Sequence, residues 1–128
     1  MKNYAQVYVK NSCEAAEMYC KAFGAEITFK IKNDDEIGYE HCELSVNGKE
    51  FLALSENKKP CDIKVIHEMK WETMTFNVFE MGSEEAVNNA FNILSIGGVV
   101  VDPIQEVPWC KYCATVIDKF GVCWSLMI

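Results

Sequence analysis

What the sequence lacks narrows its function first. No uninterrupted apolar run approaches the ~20 residues that a membrane-spanning helix needs, so no membrane partner is expected. The opening stretch, MKNYAQVYVKNSCEAAEM, has an apolar segment that is short, alternating and followed at once by charge, unlike a secretory signal. A soluble, cytoplasmic protein is expected. There is no GxGxxG turn between a strand and a helix, which removes the usual nucleotide-like cofactor site. The lysines form no basic stripe and the formal net charge is -7. Such a surface repels phosphate backbones, so nucleic acid is not an expected partner. No second CxxC exists to complete a zinc site with the one at Cys110–Cys113.

What is present describes a compact chain. It has 128 residues, half of them hydrophobic, which suits a single domain over 1–128 with a substantial core. The seven cysteines are odd in number, so free thiols in a reducing compartment are expected rather than a disulfide framework. Most are read as small buried hydrophobes.

Hydrophobic periodicity predicts the elements. Tyr4–Val9 alternates and reads as a strand. Asn11 and Ser12 offer N-cap side chains, with Glu14 placed as in a capping box. Ala15, Met18, Tyr19, Ala22 and Phe23 then form one helical face, which Gly24 ends. Strands are predicted at Glu26–Lys32, His41–Val46 and Phe51–Ser55, the last two joined by an Asn47-Gly48 hairpin. After a polar linker at about 57–70, Trp71–Phe79 reads as a strand. Ser83-Glu84-Glu85 opens a second helix, with Val87, Ala90, Phe91 and Leu94 as its stripe and Gly97-Gly98 as its stop. Val99–Val101, a break at Pro103 and a closing hairpin around Asp118–Gly121 complete the chain. The order is one βαβββ module twice, at about 1–56 and 71–128. One module alone leaves a sheet face exposed, so two must pack together or pair across a dimer.

Three stretches carry a resemblance: AAEMYCKAFGAE at Ala15–Glu26, HCEL at His41–Leu44 and VIDKFGVCW at Val116–Trp124. With them the sequence resembles the vicinal-oxygen-chelate superfamily, the glyoxalase and bleomycin-resistance-like fold, and within it the PhnB-like branch. The resemblance implies an α+β fold whose two βαβββ modules form a curved sheet cup. That superfamily hosts many reactions as well as simple binding, so the fold does not name the chemistry. The methyltransferase label attached to this branch has no support in the residues. Where metal-using members place four ligands on the first and last strand of each module, this chain has Tyr4, a position at or next to Ala53, one near Thr73, and Ser125. None is a good ligand for a divalent cation. Gln6, Glu56 and Glu72 are the nearest replacements. No metal and no cofactor are expected.

His41 is the foremost candidate for chemistry. Strand alternation puts His41, Glu43 and Ser45 on one face and Cys42, Leu44 and Val46 on the other. A polar face of this kind orients a ligand or moves a proton. Cys110-Lys111-Tyr112-Cys113 precedes no helix, whose N-terminus would activate a thiol. Close packing is therefore its expected role. Trp109, beside Pro108, is a candidate lining residue, while Trp124 is expected to pack under the helices. His67 reads as a solvated surface residue.

The expectation is a metal-free homodimer that binds a small organic molecule through Tyr4, His41, Glu43, Thr73, Trp109 and Ser125. The alternatives are a lyase, isomerase or hydrolase with His41 as general base beside Glu43, and a protein that sequesters an antibiotic, its acidic charge suiting a cationic drug.

Overall fold

A computed structural model of the chain describes residues 1–58 and 74–128. The expected linker beyond Lys58, the start of the Trp71–Phe79 strand, and Cys61, His67, Glu72 and Thr73 lie outside the described residues. The chain divides into two compact units, Met1–Cys61 and Asp62–Ile128.

The first unit runs β1 (Gln6–Val9), α1 (Ser12–Phe23), β2 (Glu26–Lys32), β3 (Tyr39–Val46) and β4 (Lys49–Glu56). The second runs β5 (Phe76–Val78), α2 (Glu84–Leu94), β6 (Val99–Val107), β7 (Cys110–Ile117) and β8 (Cys123–Met127). The sheet orders are β1-β4-β3-β2 and β5-β8-β7-β6, so the two units share one topology. In each, the first and last strands pair in parallel and the other pairs are antiparallel.

Each helix covers one face of its own sheet. Ala15, Ala16, Tyr19 and Ala22 of α1 are buried, as are Leu44, Leu52, Leu54 and Cys42 of the strands. Three alanines among the four let the helix approach closely, and Tyr19 fills the remaining volume. In α2 the buried stripe is Val87, Ala90 and Leu94. Burying a side chain such as Leu94 contributes roughly 1.5–3 kcal/mol.

The start of α1 departs from the expected capping box. Asn11 sits in the left-handed region at φ 59 and its side chain makes no cap bond. The cap comes from the strand paired with β1. Glu56, the last residue of β4, accepts from the Asn11 N–H at 3.0 Å and from the Ser12 N–H and hydroxyl at 2.8 Å each. Ser12 in turn accepts from the Tyr39 N–H at 2.8 Å, tying β3 to the same point. Gly38 completes the arrangement. At φ 82, a Cβ there would collide with the Glu56 carboxylate, so only glycine fits. The second helix follows expectation, with the Ser83 hydroxyl accepting from the Ala86 N–H at 3.1 Å.

The Asn47-Gly48 hairpin is as expected, with both residues at positive φ, 51 and 73. Both central residues of a type I′ turn require such angles. Tyr4 precedes β1 instead of opening it, and the described part of β5 is only three residues long. Pro103 does not break its strand: β6 runs through it from Val99 to Val107. β6 is an edge strand, where a missing N–H costs no ladder bond, and the register shifts between Val100 and Asp102 and between Asp102 and Gln105 absorb the irregularity.

The closing turn is organised by a buried carboxylate. Asp118 accepts from the backbone N–H of Phe120 (2.8 Å) and Val122 (3.1 Å) and from the Trp124 indole N–H (2.8 Å). Trp124 is buried, 5.4 Å from the Phe76 ring centroid.

Candidate functional site

The sheet of the first unit has a face that its helix does not cover. Register defines its members. Gln6 pairs with Ala53, Ala53 with Glu43 and Glu43 with Phe29, giving one row across all four strands. Tyr8 pairs with Ser55 and His41 with Ile31 in the next row. Cross-strand partners project to the same side, so these residues share one face. It is small at the centre, at Ala53 and Ser55, and bulky at the edges, where Tyr8, Phe29 and Ile31 are exposed.

A polar constellation sits on this face. Glu43 Oε1 accepts from the Tyr4 hydroxyl at 3.3 Å and meets His41 Nε2 at 3.0 Å. One carboxylate oxygen thus holds a phenol and an imidazole together. Tyr4 reaches it from the segment before β1, and His41 and Glu43 are two residues apart on β3, as strand alternation requires. The side chains of His41 and Glu43 are 31% and 38% exposed, so the pair is desolvated in part yet open to a ligand. The Phe29 ring lies 6.1 Å from the His41 ring. Partial burial, followed by the Glu43 carboxylate, pushes the Tyr4 hydroxyl above its ordinary pKa, so it remains a donor. With Glu43 ionised, the bond places a proton on Nε2 and leaves Nδ1 as the basic nitrogen. This carboxylate–imidazole order is the one that orients a general base.

Two further polar pairs extend the face. Gln6 Nε2 donates to the Ser55 hydroxyl at 2.8 Å, and the Thr28 and Ser45 hydroxyls are 3.3 Å apart. In the second unit, Ser125 pairs with Asn77 on one side and Thr115 on the other, and Thr115 with Asp102, an uncharged row ending in one acid. Trp109 stands in the turn between β6 and β7, 79% exposed.

Among the described residues, the donor set does not suit a divalent metal. Ala53 carries no donor, Ser125 offers a neutral hydroxyl, and Tyr4 is a protonated phenol. Of the replacements, Gln6 is bonded to Ser55 and the Glu56 carboxylate is occupied by the start of α1. Among the described residues, no three histidine, cysteine or acidic side chains gather in a metal-binding group.

Of the expected site residues, the structure brings Tyr4, His41 and Glu43 into one hydrogen-bonded group. Ser125 and Trp109 belong to the other unit. Sequence reading missed Tyr8, Phe29 and Gln6 as members of the open face. The alternation of Gln6 and Tyr8 with the apolar Val7 and Val9 was the available signal.

No protein-family model matches the sequence, and no curated protein matches it. Solved structures do. A PhnB protein from Bacillus cereus is similar at TM-score 0.76 with 23% identity, covering 99% of this chain and 98% of that one. A protein from Bacillus cereus described as a possible glyoxalase gives TM-score 0.67 at 19% identity, over 100% of this chain and 99% of its own. FosX, a genomically encoded fosfomycin resistance protein from Listeria monocytogenes, gives 0.65 at 12% identity, over 99% and 91%. No described helix is long and apolar enough to cross a membrane. Two four-stranded mixed sheets, one helix on each and end-to-end similarity to these structures define the architecture: the chain has the glyoxalase-like, vicinal-oxygen-chelate fold.

Proposed function

We propose that the protein binds a small organic molecule over the open sheet face of its first unit, without a metal, and that it works in the cytoplasm as a homodimer. The observation that carries this reading is the single Glu43 oxygen shared by the Tyr4 hydroxyl and His41 Nε2, set among exposed Tyr8, Phe29 and Ile31. Ligand sites combine apolar surface with a few convergent polar groups, as this face does. Thr73, Trp109 and Ser125 are proposed as ligand-contacting residues of the second unit.

A second reading makes the same group catalytic. The 3.0 Å bond between Glu43 and His41 favours it, because a fixed imidazole removes a proton from a bound substrate in a lyase, isomerase or hydrolase step. Sequestration of an antibiotic is the third reading. The resistance function named for FosX and the net charge of -7, which suits a cationic drug, support it.

A thermal-shift screen separates the three, using a panel of small organic molecules that includes fosfomycin and cationic antibiotics. A ligand at 100 times its Kd stabilises the native state by about 2.7 kcal/mol. The hit is then titrated by calorimetry into wild type, His41→Ala and Glu43→Gln. Binding weakened at least tenfold in both variants, with unchanged far-UV circular dichroism, is the expected result. Equal affinity in all three proteins refutes the site. Turnover of the hit that His41→Ala abolishes selects the catalytic reading. A divalent-cation scan that raises the wild-type melting point refutes the metal-free reading.

A further inference from the structure

Cys110 and Cys113 are three residues apart, a spacing that in a regular strand sends side chains to opposite faces. The register of the β6–β7 hairpin changes that. Cys110 pairs with Val107 and Cys113 pairs with Gln105. Val107 and Gln105 are two apart on β6 and therefore project to the same side, so their partners on β7 do as well. The register shift between the two rows inserts one extra residue into β7 and turns a strand-spaced CxxC into a same-face pair. Cys110 is a close enough neighbour to contribute to raising the Cys113 pKa. Each thiol donates to a backbone carbonyl, Cys110 to Tyr112 at 3.3 Å and Cys113 to Gln105 at 3.5 Å.

The two thiols differ in access. Cys110 is half-buried at the start of β7, next to the exposed Trp109, and Cys113 is 8% exposed. We propose that Cys110 and Cys113 form a reversible dithiol–disulfide pair that reacts with small-molecule disulfides, Cys110 attacking and Cys113 resolving. In the first step the Cys110 thiolate forms a bond to one sulfur of the small disulfide and expels the other half as a thiolate. In the second, Cys113 loses its proton to solvent and attacks the Cys110 sulfur, expelling the second half. Two protein thiols and one small disulfide become one protein disulfide and two small thiols. Burial, followed by the neighbouring Cys110 sulfur, raises the Cys113 pKa, which suits a slow resolving thiol and not the first nucleophile. The arrangement needs no helix N-terminus, because it depends on proximity across the register shift.

The test incubates the full-length protein with oxidised glutathione, blocks remaining thiols and maps peptides by mass spectrometry. Cleavage after Lys111 separates the two cysteines, so the disulfide joins the peptide ending at Lys111 to the one beginning at Tyr112. That cross-link, with a mass loss of two hydrogens reversed by a reductant, is the expected result. Cys113→Ser is expected to stop at a stable glutathione adduct on Cys110, and Cys110→Ser to show neither adduct nor cross-link in this region. A stable adduct on Cys110 of the wild type without resolution overturns the proposal. So does oxidation of other cysteines while Cys110 and Cys113 remain unmodified.

Discussion

Removing the Glu56 side chain tests whether a contact across 44 residues of sequence caps the first helix. Glu56→Ala deletes an acceptor of three hydrogen bonds. They do not count equally. The Asn11 N–H is exposed and returns to water at little cost. Ser12 is fully buried, so its N–H loses a charge-assisted bond worth about 1.5–3 kcal/mol. Its hydroxyl proton loses a further ~1 kcal/mol, and the favourable charge at the helix N-terminus adds about 0.3–1 kcal/mol. The sum is about 3–5 kcal/mol. For a domain of this size that corresponds to a melting point lower by roughly 10–20 °C. Glu56→Gln keeps one carbonyl acceptor but turns an amide NH2 toward an N–H, so about half the loss is expected. Urea unfolding followed by far-UV circular dichroism measures both variants, and a double-mutant cycle with Ser12→Ala isolates the shared bond at about 1–2 kcal/mol. If Glu56→Ala and Glu56→Gln both lie within about 0.5 kcal/mol of wild type, the cap contributes nothing and the reasoning fails.

Two other perturbations follow from the cores of the units. Asp118→Asn sets an amide NH2 against the Trp124 indole N–H or a backbone donor and is expected to cost about 2–4 kcal/mol. An altered near-ultraviolet signal from Trp124 should accompany the loss, and an unchanged urea midpoint contradicts it. Burial, followed by the nearby Cys20 and Cys13 thiols, pushes the Cys42 pKa up to about 11 from an ordinary 9. A raised thiol pKa stabilises the fold fully below pH ~9 and loses that contribution as pH rises toward ~11. Wild type should therefore lose up to about 1.4 kcal/mol per pH unit more than Cys42→Ala across that window; parallel slopes by urea unfolding exclude the effect.

Much of the architecture was legible in local pattern because local physics decides it. Gly24 ends α1 at φ 64, and Ser83 caps α2, since both depend on neighbours within a turn. Asn47-Gly48 forms its hairpin because few other pairs adopt positive φ twice. The face shared by His41, Glu43 and Ser45 follows from a period of two residues and nothing else. Reading failed where a residue's neighbour is distant in the chain. Asn11 looks like an N-cap, but the carboxylate of Glu56 arrives from β4 and takes that role. Pro103 looks like a break, and its tolerance depends on β6 being an edge, which only the strand order shows.

The candidate site divides along the same line. The sequence by itself determined the repeated βαβββ order, the two apolar helical stripes and the polar face of β3, because periodicity and turn chemistry act over a few residues. Only the tertiary structure decided that Tyr4 bonds to Glu43, that Glu56 belongs to a helix cap instead of a metal site, and that a register shift sets Cys110 and Cys113 on one face. Each depends on strand pairing across tens of residues, and a one-residue slip in pairing sends a side chain to the opposite face.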